Sequence, residues 1–197
     1  MADRRTRAAL ARAAWTFASG LPPLVLMTDD ERLPDPLAAA RTLPKGSLVI
    51  LRGAQRETFG AGLAAVARAR GLVLSIAGDT RVAASLGARA LHLSEDRAHE
   101  AAHWRALRSG WLITCAAHSL GAAARAHAFG ADAVLLSPVF ETASHRGRAA
   151  LGPLRLRLMA AALPGPVYAL GGIGAANARR LGGADLAGLA AIGALAA

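Results

Sequence analysis

Three stretches of this chain repeat one pattern: an Ala/Arg-rich helix, a Gly-Ala pair, then a short apolar strand. They occupy residues 82–93, 123–136 and 178–189, with the pairs Gly87-Ala88, Gly130-Ala131 and Gly183-Ala184. Glycine ends a helix in the left-handed conformation without the steric cost of a Cβ. A strand that follows as an unbroken apolar run is buried on both faces, as the strands of a parallel sheet are. The repeating unit is therefore helix then strand, at about 40–50 residues per two units. It commits the chain to an α/β fold in which helices cover a parallel sheet.

The rest of the chain supplies the same elements. Apolar runs at 24–28, 48–52, 72–77, 90–93, 111–115 and 133–137 read as six strands. A seventh starts at Val167 and an eighth ends near Gly193. Helices are expected over 3–17, 37–42, 56–70, 80–86, 96–108, 120–129, 153–162 and 175–182, with Asp96 and Ser119 as N-caps. Eight strands with helices between them are the count for a closed (β/α)8 TIM barrel. A doubly wound open sheet is less well matched, because no Gly-x-Gly-x-x-Gly follows the first strand. Residues 1–20 read as a helix and linker, and 21–197 as one barrel domain. Too few residues follow Gly193 for a final helix, so the outer face of the last and first strands needs another cover. The N-terminal helix or a second copy in a homodimer would serve.

The stretch 167–194 is the strongest functional signal. Gly171-Gly172 and Ile192-Gly193 follow the last two strands, where barrels of this type hold phosphate. Glycines let backbone N–H groups approach an anion closely, and a helix start adds favourable charge. A tight turn with no ligand is the plainer reading of Gly171-Gly172. The net charge of +10, from 23 basic and 13 acidic residues, agrees with an anionic ligand. Nucleic acid is disfavoured, since the arginines are scattered and aromatics make up only 4% of the chain. No apolar run reaches the ~18 residues of a membrane span. The basic N-terminus lacks an export core, and a single cysteine, Cys115, suits a reducing cytoplasm.

Several short motifs together resemble the thiamine phosphate synthase / thiazole tautomerase (TenI) family. They are Ala117-His118-Ser119, Gly130-Ala131-Asp132, the run from Ser137 to Thr142, and Leu170-Gly171-Gly172-Ile173. Gly78-Asp79 and Leu91-His92-Leu93 extend the match. The resemblance implies a phosphorylated heterocycle as ligand and a role in thiamine biosynthesis. It implies that Arg52 and Asp79, with Thr142, Ser144 and His145 of the loop after the sixth strand, contact substrate. It places His118 as the acid/base group of a tautomerase, and histidine titrates nearest neutral pH. For a true synthase it implies Mg2+ held by Asp79 and by Glu95 or Asp96.

Departures from the family pattern decide between the two reactions. Where synthases carry Gln-x-Arg-x-Lys, only Arg52 remains, and Thr-x-Thr-Lys becomes Thr142-Ala-Ser144-His145. A leaving diphosphate needs cationic help, so a tautomerase-type step on a thiazole phosphate is expected ahead of full thiamine-phosphate synthesis. A non-catalytic phosphate-ligand-binding relative is the third reading. His92 and Cys115 are expected in the core, and His99, His103 and His127 on solvated helix faces.

Overall fold

The computed structural model describes residues 4–17, 19–142 and 149–196. Eight parallel strands close into one barrel in sequence order. They are β1 (Leu24–Met27), β2 (Leu48–Leu51), β3 (Val73–Ala77), β4 (Ala90–Leu93), β5 (Leu112–Ala117), β6 (Ala133–Leu136), β7 (Val167–Leu170) and β8 (Gly188–Ala191). The ring is shut by β1 on β8, with Leu24 beside Leu189 and Leu26 beside Ala191.

Alternate residues of each strand go to two separate cores. Val25, Met27, Leu48, Ile50, Leu135 and Tyr168 belong to the cluster that fills the barrel. Leu24, Leu26, Val49, Leu51, Leu91 and Leu136 pack outward against the helices. Both alternating sets are buried, so the strands read as continuous apolar runs rather than as alternating ones.

The helices are α1 (Arg4–Ala14), α2 (Pro36–Thr42), α3 (Gln55–Arg70), α4 (Thr80–Ser85), α5 (Ala101–Leu107), α6 (Leu120–Ala128) and α7 (Gly152–Ala162). Their ends follow local chemistry. Asp35 caps α2 through Ala38 N and Ser119 caps α6 through Ala122 N. Gly71, at φ 63°, ends α3 in the left-handed conformation.

Two helices differ from the sequence expectation. Residues 175–182 form only a 3-10 turn, Ala178–Leu181. The Asn177 side chain ties the preceding segment down, accepting from Gly174 N and donating to Gly172 O. An asparagine that bonds its own neighbourhood competes with a regular helix. The stretch 96–108 begins as a 3-10 segment, Glu95–Glu100, and becomes α-helical only at Ala101. Ser94, not Asp96, stands at the cap position there.

The open flank between β8 and β1 is covered by α1. Leu10 and Ala14 are wholly buried. The helix packs on the 3-10 turns Ala178–Leu181 and Gly193–Leu195, and Arg7 Nη1 donates to Ala196 O at 3.1 Å.

Candidate functional site

Every strand ends in the same direction, so the residues after the strands meet at one mouth. They line a cavity of about 780 Å³. Its wall includes Arg52, His118, Thr142, Gly171, Gly172, Ile192 and Gly193. The structure therefore brings together most of the residues singled out from sequence. Ser144 and His145 lie outside the described residues.

The β7 and β8 ends form one side. Gly171 and Gly172 have φ of 99° and 65°, which L side chains rarely adopt. A Cβ on Gly172 would sit 2.4 Å from Glu141 O and 2.8 Å from Phe140 Cβ. The turn carbonyls are engaged within the protein: Gly171 O accepts from Phe140 N, and Gly172 O from Asn177 Nδ2. Gly193 differs, because a Cβ there meets nothing within 4 Å.

The ends of β1 and β2, next round the ring from β8, carry positive charge. Arg52 Nε donates to Thr28 O at 2.7 Å, and its Nη2 donates to Asp29 Oδ2 at 2.5 Å. Arg32 Nη2 reaches the same carboxylate oxygen at 2.7 Å. These bonds fix the Arg52 fork, a geometry that suits phosphate oxygens. Hydrogen bonding by Arg32, with the added charge of Arg52, holds the Asp29 carboxyl well below the usual carboxylate range. Asp29 serves two purposes at the end of β1. It accepts from Arg32 N and Glu31 N, as a cap does, and it also orients Arg52.

His118 stands at the end of β5. Its backbone N and its Nδ1 both donate to Glu95 Oε2, at 2.8 and 2.7 Å. Nδ1 therefore carries a proton, and Nε2 is the ring atom at which a proton can be exchanged. Glu95 comes from the β4 end, and the parallel register of β4 and β5 sets it beside His118.

His92 was expected in the core. It is indeed buried, at 6% exposed, yet it lines the cavity floor. Its Nδ1 lies 2.9 Å from Thr114 Oγ1. Burial, and secondarily the charge of Arg52, push its pKa down to about 4, so the ring is neutral at pH 7. His127 is partly buried rather than solvated, and burial lowers its pKa.

Mg2+ takes oxygen ligands, commonly one or two carboxylates together with substrate phosphates. Three carboxylates near the mouth, Asp79, Glu95 and Asp29, already have partners. Asp79 caps α4 through Val82 N at 2.9 Å, outside the cavity lining. Glu95 holds His118, and Asp29 lies between two guanidiniums. Asp96 is exposed, and hydrogen bonding to Ser94 lowers its pKa. Arg97, whose pKa is raised by Glu100 and more weakly by Asp96 and Asp79, already places a cation there and donates to Gly78 O at 2.7 Å. Among the described residues no group of three or more His, Cys, Asp or Glu could hold a metal. These residues do not fit a Mg2+ ion.

Known proteins place this geometry in context. The family described as thiamine monophosphate synthase matches residues 31–195. A thiamine-phosphate synthase of Geobacillus kaustophilus is 31% identical over 148 residues, covering 74% of this chain and 66% of that protein. One from Methanoculleus marisnigri is 37% identical over 115 residues, covering 58% and 54%. The matched stretch thus spans between about half and two thirds of these relatives' length. Among solved structures, thiamine phosphate pyrophosphorylase from Pyrococcus furiosus superposes with a TM-score of 0.72 at 22% identity, covering 88% of this chain and 87% of that one. At that identity the likeness speaks for the shared barrel. No helix among the described residues is long and apolar enough to cross a membrane.

Proposed function

Since the chain belongs to the thiamine monophosphate synthase family, we propose that it serves thiamine biosynthesis by acting on a phosphorylated thiazole in the barrel mouth. The names of the relatives favour thiamine-phosphate synthesis, the joining of a thiazole phosphate to a pyrimidine diphosphate. That reading now leads, ahead of the tautomerase step that the missing lysines suggested. One observation carries it: a clamped guanidinium and a glycine turn line one cavity of about 780 Å³. Such a space can take two small rings, with one anion at the glycine turns and the other beside Arg52.

In this reading the thiazole phosphate is held at the turns of Gly171, Gly172 and Gly193. The thiazole nitrogen attacks the methylene carbon of the pyrimidine diphosphate. A C–N bond forms, the C–O bond breaks, and the diphosphate departs with the electron pair. Arg52 stabilises the charge that develops on it. No step is assigned to Mg2+, because the described residues do not fit that ion.

A second reading rests on the Glu95–His118 pair. A histidine held at Nδ1 by a carboxylate is built to accept and return a proton at Nε2. That chemistry suits isomerisation of a thiazole phosphate alone.

One experiment separates the two. Enzyme is mixed with both substrates, with Mg2+ or with a chelator, and thiamine phosphate is measured by mass spectrometry. In parallel, thiazole phosphate alone is followed by proton NMR. Thiamine phosphate formation supports the leading reading. Isomerisation without joining supports the second, and tight binding without either reaction marks a non-catalytic relative.

A further inference from the structure

Helix α1 does more than close the flank between β8 and β1. One face, with Leu10 and Ala14, is sealed against the barrel. A second face borders a cavity of about 490 Å³ that shares no lining residue with the mouth. Ala8 and Ala11 of α1 line it together with Leu43, Pro44 and Leu195. Arg4, Arg7 and Arg12 add three guanidiniums to this apolar wall, and no acidic residue lines it. Arg7 is tied to Ala196 O. Arg4 and Arg12 are exposed, and among the described residues no carboxylate pairs with either. Their Cα atoms stand about 12 Å apart along the helix, with Ala8 midway. Trp15 continues this face at helical spacing and is 44% exposed. An apolar groove with arginines and an exposed tryptophan at its border has the composition of an interface centre.

The charge limits what can fill the groove. Two exposed guanidiniums with no carboxylate of their own call for an anionic partner. Among the described residues, only α3 of the seven helices carries an acidic residue, Glu57. At a net charge of +10, a second copy would set arginines against arginines. Helix α1 also lies outside the stretch matched by the family, residues 31–195.

We infer that this groove docks an acidic amphipathic helix of another protein. Two carboxylates eight positions apart on that helix meet Arg4 and Arg12, and a leucine midway between them enters the cavity over Ala8. This is recognition of a helix in a groove, with guanidinium forks fixing the register. It does not depend on what the mouth binds.

The test uses labelled helical peptides of about four turns and fluorescence anisotropy at low salt. The first peptide carries two glutamates eight positions apart with leucine midway. The second has lysines for the glutamates, and the third has serine for the leucine. Wild type should bind the first at least tenfold more tightly than either other, and added salt should weaken that binding. Arg4→Glu/Arg12→Glu, at two exposed positions, should reverse the preference between the first and second peptides. Ala8→Trp should fill the groove and abolish binding of the first, with the unfolding midpoint of both variants near that of wild type. Equal binding of the three peptides, no binding of the first, or a preference that persists in Arg4→Glu/Arg12→Glu overturns the inference. So does a dimer that Ala8→Trp dissociates, which would assign the groove to a second copy. Tighter binding to anionic phospholipid vesicles than to the first peptide, lost in Arg4→Glu/Arg12→Glu, would assign it to a membrane surface and likewise overturn it.

Discussion

Replacing Gly193 by Asp is the sharpest perturbation of the phosphate site. Gly172→Val would be the simplest way to fill the turn with a side chain. The structure argues otherwise. A Cβ on Gly172 would press on Glu141 O at 2.4 Å, and the residue sits at φ 65°. Any substitution there displaces the loop after β6, so lost binding would not distinguish site from fold. Gly193 is free of both problems. Its Cβ would meet nothing within 4 Å and its φ is not positive. An Asp side chain there sets a negative charge beside the proposed phosphate. Two unit charges about 6 Å apart repel by about 3 kcal/mol at an effective dielectric of 20, and by about 0.7 kcal/mol in bulk water. A phosphate carries about −1.5 to −2, so the expected loss is about 1 to 5 kcal/mol. At about 1.4 kcal/mol per tenfold, that is about fivefold to several thousandfold in Kd. The assay is calorimetric titration with thiazole phosphate and with the unphosphorylated thiazole alcohol. Gly193→Ala should bind the phosphate within about twofold of wild type, as no hydrogen bond is removed. The alcohol should bind Gly193→Asp and wild type alike. Undiminished phosphate binding by Gly193→Asp would refute the assignment of the site to this turn.

Three other outcomes follow from the packing and the charges. Leu10→Ala empties a wholly buried position under α1 and should cost about 2–5 kcal/mol in urea unfolding; a change under 0.5 kcal/mol would show that α1 does not seal the barrel. Burial, with a lesser push from Asp132, raises the Cys115 thiol to about 12, so a thiol reagent at pH 8 should leave folded protein unlabelled and react at once in denaturant. The Arg97 hydrogen bonds lower the Glu100 carboxyl to about 2. Its folded value lies below its unfolded one, so its contribution is full above about pH 4.5 and fades as pH falls toward 2; the stability gap between wild type and Glu100→Gln should shrink across that window, and a constant gap would count against the pairing.

The barrel was legible because its signals are local. Gly-Ala pairs, capping residues such as Ser119 and Asp35, and apolar runs each depend on a few adjacent positions. All eight strands and most of the helices follow from them. Where a side chain bonds its own neighbourhood, the same rules misled: Asn177 holds a turn where helical spacing suggested a helix. Of the site, the glycines were legible from their conformational need, which is also local, while Arg52, His118 and Thr142 came only with the family resemblance. The pairing of Glu95 with His118 spans 23 residues and depends on how β4 and β5 lie in register. Nothing in the sequence encodes that register visibly. His92 shows the same limit. An apolar strand with one histidine reads as core, and burial bears that out, but only barrel closure reveals that its ring forms the floor of a cavity. Asp79 shows it in reverse. The family motif suggested a ligand, while the capping chemistry of α4 takes its carboxylate.

The proposed function requires that the barrel mouth bind a phosphorylated thiazole with its phosphate at the β7 and β8 turns. A crystal structure of the protein soaked with thiazole phosphate tests it most directly. Phosphate oxygens are expected within hydrogen-bond distance of the backbone nitrogens of Gly172 and Gly193, with the ring beside His118. A phosphate bound at the Arg52 side instead, or a mouth that stays empty at millimolar ligand, would contradict it.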